Sequence, residues 1–536
     1  MPTLPKIESF PLADTPGFNR LFLDHSAGVV SARVFYSQQA SEWRDRPAVP
    51  ENWQELIDLL AVQNPSAAAQ PTLEKLQQGA GVVVTGQQVG LFGGPLYTPL
   101  KAATALAHAR QATAAGKPHV GIFWLATEDH DFAEINHVVF PARRELRKLV
   151  YKTAPTFPVP VGGVVIDESI TPLIEEAWEL LGYSDAMETL AAAYQPGRTF
   201  AQAFADFYSK AFAAQGLLVI DASSRAMHRL GAPVLRAGIE RADELHAALL
   251  ERNAALLAAG YHAQVAVGEQ SSLLFLVDEK TGARVALKRT APTAAEPNGL
   301  WLAGRQSYST AELVGILEAE PERISPTALL RPVFQDYLLA NNATVGGPAE
   351  IAYFAQSAVL YARILGRPTA GLARFSATLI EPAIAELLDK QELTLPRIWR
   401  EDAVSLAKVL GARAMPIEGK QRLAAAGNAL DAELNPLLDW MRAVDEGLGK
   451  SGERAASKMR YQMNRLRNLA ANFQLQKEAS LGRQAEAISQ SLFPHGVLQE
   501  RVHGAAYYLA RYGFDLNEEL VTQAGEAEAG HKAIGL

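Results

Sequence analysis

Four rhythms of apolar and polar positions run along this chain, and each marks a different kind of element. Val82-Val-Val84 and Val120 to Ala126 are short continuous apolar runs, the pattern of strands buried on both faces of a parallel sheet. A helical pattern lies between them, so Val82 to Ala126 reads as one strand–helix–strand unit. Gly216-Leu-Leu-Val-Ile-Asp221 repeats the buried run and ends on an acid. Helical spacing predicts helices at Trp53 to Gln63, at Thr199 to Gln215, and as one long element from Arg225 to Ala259. Val138 to Val165, rich in β-branched residues and prolines, predicts short strands or hairpins. Val265 to Leu302 alternates apolar and polar between turn signals, which predicts a small antiparallel insertion.

The fourth rhythm is confined to the C-terminal third. Leu430, Leu434, Leu437, Met441, Val444 and Leu448 recur at spacings of four and three, and Met459, Met463, Leu466, Ala470 and Phe473 do the same. Gly449-Lys-Ser-Gly452 reads as the break between them, giving an antiparallel coiled-coil hairpin. Pro494 and Gly496 then end the helical pattern and return the chain towards the core.

Composition narrows the class. A chain of 536 residues is too long for one compact core. Its 48% apolar and 20% charged content is that of a soluble globular protein. With a net charge of −8 and no basic block, nucleic acid is not the expected partner. No stretch of apolar residues is long enough to span a membrane, and the first residues lack the pattern of a secretory signal; a cytoplasmic location is expected. Cysteine is absent. That excludes disulfides, thiolate nucleophiles, Fe–S clusters and Cys-ligated zinc, and it suits an enzyme that handles a free thiol.

Both ends of the strand–helix–strand unit carry candidate chemistry. Gly86-Gln87-Gln88-Val-Gly90-Leu-Phe-Gly93-Gly94 fits neither the dinucleotide nor the P-loop pattern, but its glycines let backbone approach a ligand and its amides add donors and acceptors. Lys101 follows in the helix. Gly93-Gly94-Pro95 and Gly346-Gly347-Pro348 read as two similar strand-to-helix turns whose free amides and positive helix ends favour an anion. After the second strand comes Glu128-Asp129-His130-Asp131, with Glu134, Asn136 and His137 close by. Such crowding shifts pKa values and marks sites. His130 between two acids is a candidate general base, or a metal ligand with Asp129 or Asp131. HExxH and GxSxG are missing.

TGQQVGLFGGPLYTPLKAATA, FWLATEDHDFAEINH, LLRPVFQDYLLANNATVGGPAEIAYFAQ and LFPHGVLQERV, spread in order from residue 85 to residue 502, resemble the signature segments of the BshC family, the cysteine-adding enzymes of bacillithiol biosynthesis. The resemblance implies a ligase that joins L-cysteine to glucosaminyl-malate through an amide bond, with ATP as expected co-substrate and Mg²⁺ left open. Carried over residue by residue, it implies a pocket built from Gly86, Gln87, Gln88, Gly93, Gly94 and Tyr97, from Glu128, Asp129, His130 and Asp131, and from Gly346, Gly347 and Glu350. Lys101 and Asn136 join these as candidate binding residues, and Asp129, His130 and Asp131 are the catalytic candidates. With the patterning, it implies an α/β fold: a Rossmann-like parallel-sheet core over residues 1–380 with insertions at about 138–198 and 260–310. A helical coiled coil, expected to form a homodimer, follows over 381–490, and 491–536 returns to the core. Two other readings stay open: a metal-dependent hydrolase or transferase using the Glu128–Asp131 cluster, and a non-catalytic nucleotide-binding dimer.

Overall fold

The computed structural model describes residues 7–36, 43–45, 47–142, 145–290, 299–367, 369–526 and 530–536. At its centre lie five parallel strands: β1 (Gly81–Gln87), β2 (His119–Leu125), β3 (Leu218–Asp221), β4 (Ala343–Gly346) and β5 (Ala370–Ala373), in the spatial order β5-β4-β1-β2-β3. Every residue of β2 is buried, as expected of a strand covered on both faces. The chain leaves β1 for β2 and β3 on one side, then crosses to β4 and β5 on the other. Strand order therefore reverses between β1 and β4, and the crevice beyond their carboxyl ends is where an open parallel sheet binds ligands.

Three helices matter to that crevice. α1 (Tyr97–Ala114) follows β1 and is buried along most of its length, which accounts for its small side chains. α2 (Arg331–Leu339) precedes β4, and α3 (Pro348–Ile364) follows it with Pro348 in its first turn. The alternating stretch forms the strands Ser271–Val277, Arg284–Arg289 and Trp301–Ala303 of an antiparallel sheet. His137–Pro141 and Leu146–Val150 form a hairpin.

The expected single helix from Arg225 to Ala259 is two, Arg225–Glu240 and Ala242–Ala258. The chain leaves helical geometry at Arg241 (φ −110°, ψ 22°), whose guanidinium is held by Glu244 and by the Arg363 carbonyl. Apolar periodicity is blind to such a local break.

C-terminal to the sheet, α4 (Ala403–Ala414) packs beside a hairpin of α5 (Ile417–Val444) and α6 (Glu446–Lys477). The turn falls at Asp445, whose carboxylate accepts the Leu448 amide 2.8 Å away, and not at the expected Gly449–Gly452. Those glycines lie inside α6, where a Cβ would come within 2.7 Å of the Arg442 side chain at Gly449 and of Met441 Sδ at Gly452. They permit close helix approach rather than a break. The intramolecular seam is Leu430, Leu434, Leu438 and Ala456. Leu437, Met459, Leu466 and Phe473 face outwards.

The last strand, His531–Gly535, inserts between Ile7–Phe10 (antiparallel) and Ser376–Ile380 (parallel), so distant parts of the chain share one small sheet. No helix among the described residues is long and apolar enough to cross a membrane.

Gly411 provides a test of the helical packing, because a Cβ there would lie 2.6 Å from the Ala471 carbonyl oxygen of α6. Glycine to alanine in an exposed helix gains about 1 kcal/mol. Gly411→Ala should instead lose about 1–3 kcal/mol in urea unfolding followed by circular dichroism. Gly419→Ala, with open space around it, should be neutral or stabilising.

Candidate active site

A cavity of about 460 Å³ opens at the carboxyl ends of β1 and β4. Its first wall is Gly86, Gln87 and Gln88 from the end of β1, with Tyr97 and Lys101 from α1. Lys101 is buried and donates to the Gly86 carbonyl (2.9 Å), Gln87 Oε1 (2.8 Å) and Glu350 Oε2 (2.6 Å). Burial pulls its pKa down and Glu350 opposes that pull. Glu350 also accepts the Gly347 amide at 2.8 Å, closing the start of α3.

The second wall comes from the loop after β2. Asp129 forms a fork with Arg331, accepts from Gln88 Nε2 at 3.4 Å, and lies 3.7 Å from Arg284. Burial works against its charge, but Arg331 first and then Arg284 and Gln88 outweigh it and hold the carboxyl below its ordinary range. Asp131 caps the short helix Phe132–Ile135 by accepting the Glu134 amide. Gln88 also donates to Glu134 at 2.9 Å. His130 hydrogen-bonds with neither neighbouring carboxylate; its Nδ1 lies 3.4 Å from Arg284 Nη1.

Several expected residues stand elsewhere. Glu128 does not line the cavity: it turns into the protein and pairs at 2.8 Å with fully buried His228. Asn136 also lies off the cavity and donates to the Tyr151 carbonyl, holding the hairpin. The two Gly-Gly-Pro turns differ. Gly93 and Gly94 have positive φ (81° and 69°) and helix α1 starts only after Pro95, whereas Gly347 is extended and Pro348 begins α3 directly. Nor are the amides free. Gly93 donates to Tyr194 Oη, Gly94 to the Leu91 carbonyl, Leu96 to the His503 carbonyl and Gly347 to Glu350. Gly93, Gly94 and Gly346 shape the turns without lining the cavity.

What the sequence reading missed is mostly arginine. Arg284 arrives from the antiparallel insertion, Arg331 from α2, Arg374 from the link after β5, and Arg501 from the C-terminal segment. Arg374 is buried against Glu500 and donates to the Phe375 carbonyl at 2.9 Å. Arg501 is exposed at the cavity and, among the described residues, has no ion-pair partner. Arg331 and Arg501 stand inside the conspicuous segments RPVFQDY and LQERV, so a lone cation in an otherwise apolar or amide-rich stretch was the available signal.

A resident metal fits this donor set poorly. Among the described residues, no group of three or more His, Asp or Glu side chains is placed to hold one. Glu128 faces His228, Asp129 is forked by Arg331, and Arg284 stands where a second cation would have to sit.

Comparison with known proteins covers the whole architecture. The profile of the BshC N-terminal Rossmann-like domain of bacillithiol biosynthesis matches residues 6–364, and that of the BshC C-terminal coiled-coil domain matches residues 377–536. A BshC protein of Koribacter versatilis is 39% identical over 531 residues, covering 97% of this chain and 98% of its own. Relatives from Solibacter usitatus and Salinibacter ruber are 33% and 30% identical, covering 94% and 98% of this chain and 95% and 98% of theirs. Each of the three is named as a cysteine ligase by assignment. With both profiles matched in order on the sheet and the helical arm described above, this chain belongs to the BshC family.

Proposed function

We propose that the protein joins the carboxyl group of L-cysteine to the amine of glucosaminyl-malate, forming bacillithiol, and that ATP activates the carboxylate. The observation that carries this reading is the charge layout of the switch-point cavity. Arg284, Arg331, Arg374 and Arg501 approach it from four segments, while the exposed carboxylates of Asp131 and Glu134 stand at its rim. Arginines suit the malate carboxylates or nucleotide phosphates, and carboxylates with no cationic side chain beside them suit an ammonium group. Names given to the relatives point the same way. The absence of cysteine keeps a thiol substrate from forming mixed disulfides with its enzyme, and such a reaction belongs in the cytoplasm, where ATP is made available.

Amide formation from a free carboxylate in water is uphill, which is why a nucleotide is needed. Mg²⁺ would enter with the phosphates, since it binds through one or two carboxylates plus phosphate oxygens; among the described residues, Asp131 and Glu134 are the cavity carboxylates paired to neither arginine nor lysine. On this reading Lys101 and Glu350 do not touch the reacting atoms. They hold the end of β1 to the start of α3 so that both substrates meet in a fixed geometry.

The exposed apolar face of the arm, with Leu437, Trp440, Met459, Leu466 and Phe473 all outward, supports a homodimer through the coiled coil. Leu466→Glu should then give a monomer in size-exclusion chromatography with light scattering, with the helix content retained. A variant that stays dimeric would place the interface elsewhere.

Mass spectrometry of the protein incubated with glucosaminyl-malate, cysteine, ATP and Mg²⁺ should show bacillithiol together with AMP or ADP in equal amount. AMP would mean an adenylate and ADP an acyl phosphate; binding of nucleotide without product would favour the non-catalytic dimer. Arg501→Met, which disturbs no ion pair, should lower kcat/KM by about tenfold to a hundredfold, the value of a charge-assisted hydrogen bond, without changing the melting temperature.

A further inference from the structure

The neighbours of His130 fix where its ring proton sits. Nδ1 lies 3.4 Å from Arg284 Nη1, and a guanidinium offers only donors, so the nitrogen that faces it must present a lone pair. The proton of the neutral ring is then on Nε2. Arg284 cannot swing aside to accommodate the other arrangement. Its Nε donates to Ser325 Oγ at 2.9 Å, its Nη2 to the Pro326 carbonyl at 2.8 Å, and its guanidinium carbon sits 3.8 Å from the centre of the Phe275 ring. Burial pulls the Arg284 pKa down to about 10, with Glu128 opposing, so the group stays charged at neutral pH. His130 leans on the same Phe275, ring centres 5.5 Å apart.

The remaining charged groups facing the imidazole are Asp129 and Asp131. Neither competes for the ring nitrogens: Asp129 is forked by Arg331, and Asp131 caps the Glu134 amide. Burial and Arg284 push the His130 pKa below its ordinary value, and the two aspartates only oppose this. Nε2 has no protein hydrogen-bond partner among the described residues, on a side chain that lines the cavity.

We propose that Arg284 is a positioning residue that holds His130 as the neutral Nε2–H tautomer, making His130 a hydrogen-bond donor to a substrate oxygen rather than the general base. For His130 to accept a proton at Nε2 it would have to carry one on Nδ1, donor against donor with Arg284. A fixed donor of this kind serves an acyl or phosphoryl oxygen on which negative charge builds. The inference rests on the cavity being the active site, but the tautomer does not depend on which reaction occurs there.

The test is a two-bond ¹H–¹⁵N correlation spectrum of the full chain labelled with [¹⁵N]histidine. The chain has 11 histidines, and the His130 signals are those lost in His130→Asn. At pH 7 Nδ1 should be unprotonated and Nε2 protonated. A proton on Nδ1, or on both nitrogens, overturns the assignment even if the protein proves to catalyse something else. In the ligase assay His130→Ala should lose about a hundredfold in kcat. His130→Gln, whose side-chain amide can donate but cannot act as a base, should recover roughly tenfold of that with a pH profile flat between 6 and 8. Glutamine no better than alanine would overturn the donor role, whereas a wild type with no bacillithiol product would sink the ligase reading and leave the tautomer to the spectrum.

Discussion

An ammonium group withdrawn from water at the point where strand order reverses holds this site together. Leaving a buried Lys101 unpaired would cost several kcal/mol, so its position is tolerable only with its acceptors in place. Those acceptors come from the two elements that part there. Gly86 and Gln87 end β1, and Glu350 opens α3. Glu350 in turn secures the Gly347 amide, so the same contact that satisfies the charge also starts the helix. One ion pair therefore fixes the separation and register of the two crevice walls, and the loop after β2 is aimed at a space whose other sides are already rigid.

The crevice is completed from the far end of the chain. Gln499, Glu500 and Arg501 are consecutive and act on different neighbours. Gln499 clips the strand Ser376–Ile380 through the Leu379 amide and carbonyl, and Glu500 binds Arg374, Ser376 Oγ and the Ala377 amide. Arg501 is left facing the cavity. Burial opposes the Glu500 charge, yet Arg374 and Ser376 hold its pKa below the usual carboxylate range. The Leu96 and Ala505 amides, bonded to the carbonyls of His503 and Gly94, then seal this segment against the turn that begins α1, and the Gly504 amide ties it to the Val139 carbonyl of the hairpin. A cost in chain entropy for closing so long a loop is modest because it grows only logarithmically with length, and a fully satisfied polar cluster offsets it.

Much of the fold was legible because burial imposes a period. The runs at Val82, Val120 and Leu218 are strands covered on both faces, and the four-and-three spacing after Leu430 is a helical hairpin. Local breaks were not legible. Asp445 ends α5 and caps α6, but the nearby glycines gave a stronger apparent signal for the turn; their real constraint is the approach of Arg442 and Met441, a tertiary fact. The candidate site was half legible for a similar reason. Gly86, Gln87, Gln88, Tyr97, Lys101, Asp129, His130, Asp131, Gly347 and Glu350 do line the cavity. Its arginines carry no periodicity and lie in elements far apart in sequence, so nothing local announced that they converge.

Adjacency in sequence also proved a poor guide to adjacency in chemistry. Glu128, Asp129, His130 and Asp131 are consecutive, yet the first binds buried His228, the second is neutralised by Arg331, the third faces Arg284 and the fourth caps a helix. A chain leaving a strand turns its side chains in successive directions, so four ionisable neighbours sample four environments. The loop itself is held by Val161 and Gly162, whose amides bind the Asp129 and Thr127 carbonyls, and a Cβ at Gly162 would strike Thr127. That restraint leaves little freedom to gather the four groups around one ion. The charge available to a ligand is what remains after internal pairing. With Asp129 and Glu500 occupying Arg331 and Arg374, and Arg284 Nη1 turned to His130, it falls to Arg501, set against the carboxylates of Asp131 and Glu134. A cavity balanced in that way favours substrates carrying both signs over simple anions, because a bare anion would meet the rim carboxylates with nothing to offset them.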